Sequence, residues 1–300
     1  MENKKNIDFY YIFEKIKWGK IRINYCNLED VLYLIQKIES SEIKDKKKKR
    51  YYEDILFFIY TNSDKEINIK HKLETFIIPE PFFFFNFPKE DIEFKEVHSY
   101  IKEKVILNNE NGLEIDLKNA EPFFALFYLF QETKNEIFRI SNIYDFIMQN
   151  FNVNKEKAKN FTFRLLYDYP KTPDKFKDLF ENLKMLKEIV SEKIYHKGPK
   201  IFIKTIFGRE IEITNYHFSS VLSQFLQGSV SDFLILFIAE TQHFQPVLVK
   251  KDAIFYKDKN LAYKLKDFVE MVFDYLIKKN KYLEFPYPEF SIKELKYLFS

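Results

Sequence analysis

Cysteine is almost missing from this sequence: Cys26 is the only one in 300 residues. An intramolecular disulfide and a cysteine-based zinc site are therefore excluded. Long apolar runs are missing too. The most conspicuous one, Pro81–Pro88, reads PFFFFNFP. It is far too short to span a membrane, is bounded by prolines, and reads as a buried strand. The opening MENKKNIDFYYIF has neither the apolar core nor the small-residue cleavage site of a signal peptide. A soluble, intracellular (cytoplasmic) protein is expected. A charge of one sign is also lacking. The net charge is +3 and the pI about 8.5, which permits a polyanionic partner without demanding one. Residues 1–110 hold twenty Lys/Arg and twenty Asp/Glu, so that stretch is no simple basic arm. Glycine is scarce at 5, whereas Phe reaches 35 and Tyr 20. That excess matches a coding bias toward Phe, Lys, Ile and Asn, and no single aromatic is evidence of base stacking.

Hydrophobic residues make up 46% of the chain, enough for a substantial core in one large domain or two small ones. Asn27 is placed to cap a helix with Leu28, Val31, Leu32, Ile35 and Ile38 on one face. Asp45–Arg50 (DKKKKR) reads as an exposed loop that is either a solvated turn or a phosphate contact. From about residue 113 the pattern changes. Leu113–Leu117 predicts a short buried strand followed by helical periodicity. Further helices are predicted over Phe138–Phe151, Asn154–Tyr167, a long stretch ending near His196 after a break at Pro170–Pro173, residues 216–240, and Leu261–Lys278. Ile201–Ile206 and Glu210–Ile213 read as strands around a Gly208 turn. Pro246–Val249 and Ala253–Tyr256 read as two strands meeting at Lys250–Asp252. Strands separated by helices argue α/β or α+β.

Two carboxylates stand out. Asp116 ends an apolar strand, and Asp252 lies between two apolar strands in VLVKKDAIFY. Carboxylates held at the edge of a sheet suit divalent cations, because Mg²⁺ takes one or two protein carboxylates and completes its shell with substrate phosphates. Two ions so held activate an attacking oxygen and stabilise a leaving one. A third feature is Lys155, Lys159, Phe163 and Tyr167, spaced by four. Each step drifts about 40° around a helix and rises about 6 Å, so all four share one broad face. That face suits a triphosphate with its sugar and base. Taken alone, it suits a core helix with a solvated lysine edge better.

The order of these features resembles the family A (bacterial DNA polymerase I type) DNA polymerases. IDLKNAEPFFALFYLFQE is similar to motif A, DYSQIELR followed by an apolar helix, with Asp116 on the metal-binding Asp and Glu121 on the family glutamate. NVNKEKAKNFTFRLLYDY resembles motif B, R-x3-K-x3-N-F-G-x2-Y-G, with Lys155 at the arginine position, Lys159 at the lysine, and Phe163 and Tyr167 at the two aromatics. TIFGRE is similar to TxFGRRR. QGSVSDFLILFIAE is similar to QG(T/S)AADI, matched by Gln227, Gly228, Ser229 and Asp232. VLVKKDAIFY resembles motif C, LQVHDELVFEV, with Asp252 on its catalytic Asp. No single match is specific, but five occur in the family's order, across roughly residues 100–280.

The resemblance implies an α+β fold, with a polymerase palm of antiparallel sheet and helical fingers inserted at about 138–200. It also implies a template-directed DNA polymerase that adds dNTPs to a primer on template DNA. Asp116 and Asp252 would hold two Mg²⁺ ions, for which Mn²⁺ can substitute. Lys159 would contact the triphosphate and help protonate pyrophosphate, with Lys155 a second charge. Phe163 would pack on the incoming sugar and base, and Tyr167 near the templating base. Glu121 would exclude a ribose 2′-hydroxyl. Gln227 would reach the minor groove, Arg209 a backbone phosphate, and Lys251 the primer phosphate. Tyr144 stands where the family has a histidine, without that charge.

The departures are specific. Lys251 and Ala253 flank Asp252 where the family has His and Glu. Arg164 and Asp168 replace motif B glycines. The stretch between Gly208 and Gln227 is short. Residues 1–110 leave room only for a reduced thumb or a primer-handling module of small α+β type, and none for an exonuclease domain, with 111–300 forming palm and fingers. Low processivity follows, and a phage, plasmid or other mobile element with its own replication proteins is the expected setting. Two rival readings remain: a primase-like polymerase (or single-subunit RNA polymerase relative), and a lapsed polymerase fold acting as a DNA-binding replication factor.

Overall fold

The computed structural model describes residues 7–68, 94–106, 112–167, 177–213, 217–250, 252–277 and 285–295. The N-terminal part runs α1 (Phe9–Lys15), β1 (Lys20–Ile23), α2 (Leu28–Ser40), α3 (Lys46–Thr61), β2 (Glu66–Asn68), α4 (Lys95–Lys104) and β3 (Val105–Ile106). The middle runs β4 (Gly112–Leu117), α5 (Ala120–Thr133), α6 (Ile143–Phe151), α7 (Lys155–Tyr167), α8 (Lys177–Glu192), β5 (Ile194–Lys197), β6 (Lys200–Lys204) and β7 (Glu210–Glu212). Then follow α9 (Phe218–Thr241), β8 (Pro246–Lys250), β9 (Ala253–Tyr256), α10 (Leu265–Ile277) and β10 (Phe290–Leu295). Helices and antiparallel strand pairs occur as separate blocks, which is an α+β fold.

The chain forms two compact units, each assembled from separated segments. The first comprises Met1–Lys15, Leu117–Glu240 and Lys266–Ser291, and the second Ile16–Asp116, Thr241–Leu265 and Ile292–Ser300. The second unit thus runs through residue 110 without a break.

In the second unit, a sheet in the order β2-β1-β3 and a sheet in the order β10-β4-β9-β8 contribute to one core. Ile21, Ile23, Tyr52 and Val105 pack there with Val247, Leu248 and Phe255. Asn27 caps α2 as its sequence position suggests, accepting from the Glu29 N–H at 3.1 Å. Residues 46–50, expected as a loop, instead open α3. Lysine is a good helix former, and Asp45 caps the turn by accepting from the Lys48 N–H.

In the first unit, α5 is buried on all sides from Pro122 to Phe130. Its Phe123 and Phe127 meet Phe273 and Phe285 in edge-on or tilted contacts. Helix α9 is equally apolar. With the 3-10 turn after it, Phe218–Phe244 is long and apolar enough to cross a membrane, yet most of its apolar part is buried in protein. The helix expected over 138–151 is shorter, because Asn142 caps α6 only at Ile143, with its side chain accepting from Tyr144 and Asp145. The helix expected to end near His196 stops at Glu192, and β5 takes up the remainder. The break at Pro170–Pro173 and the run Pro81–Pro88 lie outside the described residues.

Candidate active site

The two acidic residues singled out in the sequence lie within the second unit. Strand β4 alternates buried and half-buried positions, and Asp116 is one of the half-buried ones. Antiparallel pairing sets Asp116 opposite Ala253. Strands β8 and β9 pair as far as Lys250 opposite Ala253, and Asp252 stands at the turn just before β9. Asp252 is therefore one residue from the partner of Asp116. A direct antiparallel neighbour and one further Cα step put the two Cα atoms at most about 9 Å apart. Ala253–Tyr256 is buried throughout, which fixes the hairpin, while Asp252 at the turn stays half-buried.

This donor set fits a hard cation. Two carboxylates without thiolate or imidazole suit Mg²⁺, which keeps several waters and takes substrate phosphates as further ligands. Among the described residues, no group of three or more His, Cys, Asp or Glu gathers into a closed cage. Lys251 lies outside the described residues.

A second constellation lies within the first unit. Glu121 stands in the first turn of α5. The Tyr167 hydroxyl, at the end of α7, donates to Glu121 Oε2. Gln227 on α9 donates from Nε2 to Glu121 Oε1 at 3.2 Å. Three residues far apart in sequence thus share one carboxylate. Phe163 and Tyr167 stack with centroids 6.1 Å apart and planes at 16°. Helix α7 buries Ala158, Thr162, Leu165 and Leu166, leaves Phe163 and Tyr167 half-buried, and exposes Lys155 and Lys159. The two aromatics are therefore not core residues, and the two lysines face solvent. Tyr144, on α6, is 7% exposed.

Arg209 departs from expectation. A backbone-phosphate contact requires an exposed guanidinium, but Arg209 is 7% exposed and its head group is used internally. Its Nε donates to Asp232, and one terminal nitrogen donates to the Gly228 carbonyl at 3.1 Å. Asp232 also accepts from Thr205 Oγ1 at 2.5 Å, and Thr205 Oγ1 accepts from the Arg209 backbone N–H. Ser229 Oγ accepts from the Ile206 N–H. The TIFGR turn is thereby bonded to α9. Burial pushes the Asp232 carboxyl up to about 6, against the opposing pull of Arg209 and Thr205. An acidic residue inside the apolar run VSDFLILF was the available signal, since a buried carboxylate calls for a buried cation.

No protein-family model matches the chain, and no curated protein matches it. Among solved structures, the chain is similar to the POL domain of Pol1 from M. smegmatis in complex with DNA primer-template and dNTP. The TM-score is 0.45 and the sequence identity 9%, over 84% of this chain and 52% of that one. The chain spans about half the length of the polymerase domain it resembles.

Proposed function

We propose that the chain is a template-directed DNA polymerase, extending a primer 3′-hydroxyl with dNTPs. The observation that carries this reading is the register of β4 against β9, which brings Asp116 beside the hairpin turn that holds Asp252. That register supports a reading in which two strand-end carboxylates from separate sequence segments would hold Mg²⁺ together. Bound metal supplies charge neutralisation for the triphosphate and a lowered pKa for the primer hydroxyl.

The chain's own residues supply the rest. Exposed Lys159 and Lys155 engage the triphosphate as flexible point charges, without the planar fork of arginine. Phe163 and Tyr167 offer stacked rings to the base and sugar. Glu121, tied by Tyr167 and Gln227, is held in one orientation and excludes a 2′-hydroxyl. Positioning and charge stabilisation account for most of the acceleration in phosphoryl transfer.

The test is extension of a 5′-labelled primer on a DNA template with dNTPs and Mg²⁺. Wild type adds templated nucleotides. Asp116→Ala and Asp252→Ala each lose about 10³-fold in rate, because charge stabilisation of several kcal/mol is removed. Incorporation at close to the wild-type rate in either variant refutes the assignment. Wild type that binds DNA yet stays inert on DNA and RNA primers turns the reading to a binding role.

A further inference from the structure

Strands β5, β6 and β7 form an antiparallel sheet within the first unit. Gly198 and Pro199 make the two-residue turn between β5 and β6, with Gly198 at φ 62°, the left-handed value that the first position of a II′ turn requires. One face of this sheet turns inward: Ile203 is fully buried, and Ile211 lies against α9 at Gly228.

Alternation puts a different set on the outer face. Tyr195 pairs across the strands with Phe202, and Lys197 with Lys200, while Lys204 faces Glu210 and Phe202 faces Glu212. The two rings stack with centroids 6.0 Å apart and planes at 27°. Lys197 Nζ lies 5.9 Å and 5.5 Å from the Tyr195 and Phe202 ring centres, and Lys204 Nζ lies 5.8 Å from Tyr195. Burial, together with the neighbouring Glu210 carboxylate, pushes the Tyr195 hydroxyl up to about 12.

We propose that this outer face binds single-stranded nucleic acid, with bases on Tyr195 and Phe202 and phosphates on Lys197, Lys200 and Lys204. Two half-buried rings held on a sheet and flanked by exposed cations are the elements from which sequence-tolerant strand binding is built. The present partners of those groups are weakly held. The Lys197–Glu210 and Lys200–Glu212 ion pairs have lysines 53% and 59% exposed, and exposed pairs of this kind contribute little. A lysine resting on a half-buried ring is a weaker partner for it than a stacked base. A strand laid on the sheet replaces each lysine by a base and hands the lysine a phosphate.

The experiment is fluorescence anisotropy with a labelled oligothymidylate of about 12 nucleotides, a length within the usual site size. Metal and dNTP are omitted, so the outcome is independent of primer extension and of Asp116 and Asp252. Phe202→Leu keeps an apolar side chain in the sheet but removes the ring, and binding is expected to weaken about tenfold. Lys197→Gln with Lys204→Gln flattens the dependence of log affinity on log salt by about 0.7 per lysine. Circular dichroism confirms that each variant is folded. Failure of wild type to bind, unchanged affinity in the ribbon variants, or equal losses on duplex DNA of the same length would each overturn the proposal.

Discussion

Asp232 and Arg209 show at the scale of single residues how a motif can be structural rather than ligand-facing. Their carboxylate–guanidinium pair is almost entirely enclosed, at 0% and 5% side-chain exposure. Burial raises the Asp232 pKa from 3.8 to about 6, so desolvation outweighs Arg209 and Thr205. A carboxyl whose folded pKa lies above its unfolded value contributes most stability below the unfolded pKa. That contribution is lost as pH rises through the folded one. Between pH 4 and pH 7 the wild type should therefore lose about 2–3 kcal/mol relative to Asp232→Asn, which cannot titrate. Urea unfolding of both proteins at the two pH values measures this. A difference of the opposite sign would show that the cation dominates and that the pKa is lowered. Nothing in TIFGRE alone separates a buried arginine from a surface one, because an arginine after a turn glycine suits both. The pairing is legible only when Asp232 is read as an acid within an apolar run. Asp116 and Asp252 were easier to find, since each marks the end of an apolar strand.

Elements were legible where a single physical signal dominated. The β8–β9 hairpin follows from two apolar runs around a polar turn, and α9 from apolar residues recurring at helical spacing, among them Val221, Phe225, Val230, Phe233 and Phe237. The start of α3 was hidden because a run of lysines suits a loop as well as a helix, and Asp45 as cap decided it. Strand β5 was hidden because it follows α8 with no proline or glycine between them. Contact between elements is read at Gly228, where α9 meets the β6–β7 hairpin. A Cβ there would lie 2.2 Å from Ile211 Cδ1 and 3.0 Å from Thr205 Cγ2. The isoleucine end can rotate aside, but Thr205 is fixed by its bonds to Asp232 and the Arg209 N–H. Gly228→Ala gains about 1 kcal/mol of helix propensity and loses more to overpacking, for a net cost of about 1 kcal/mol. Adding Ile211→Val, which removes Cδ1, should recover part of that loss. A double-mutant cycle by chemical denaturation reads the coupling. A single Gly228→Ala variant more stable than wild type would show that the approach imposes no constraint.

At the scale of the molecule, the sequence suggested a boundary near residue 110, because the recognisable motifs begin just after it. Packing obeys a different criterion. Val247, Leu248, Ala253 and Phe255 of the β8–β9 hairpin are buried in the same core as Ile21, Ile23, Tyr52, Leu56, Phe94 and Val105. By its sequence resemblance the hairpin belongs with residues 111–300, whereas its buried side chains share a core with side chains from residues 21–105. Removing those residues takes away the partners of four buried hairpin side chains. Val247, Leu248 and Phe255 each contribute about 1.5–3 kcal/mol when fully buried, so the loss is comparable with the whole stability of an ordinary domain. A 111–300 fragment should therefore fail to unfold cooperatively and should bind a hydrophobic dye, whereas the full chain melts in a sharp transition. Near-ultraviolet circular dichroism on both proteins distinguishes the cases. A fragment that melts cooperatively and keeps the native aromatic signal would mean that the N-terminal region is a detachable module after all. The carboxylates of Asp116 and Asp252 would then owe their placement to the β4–β9 pairing alone.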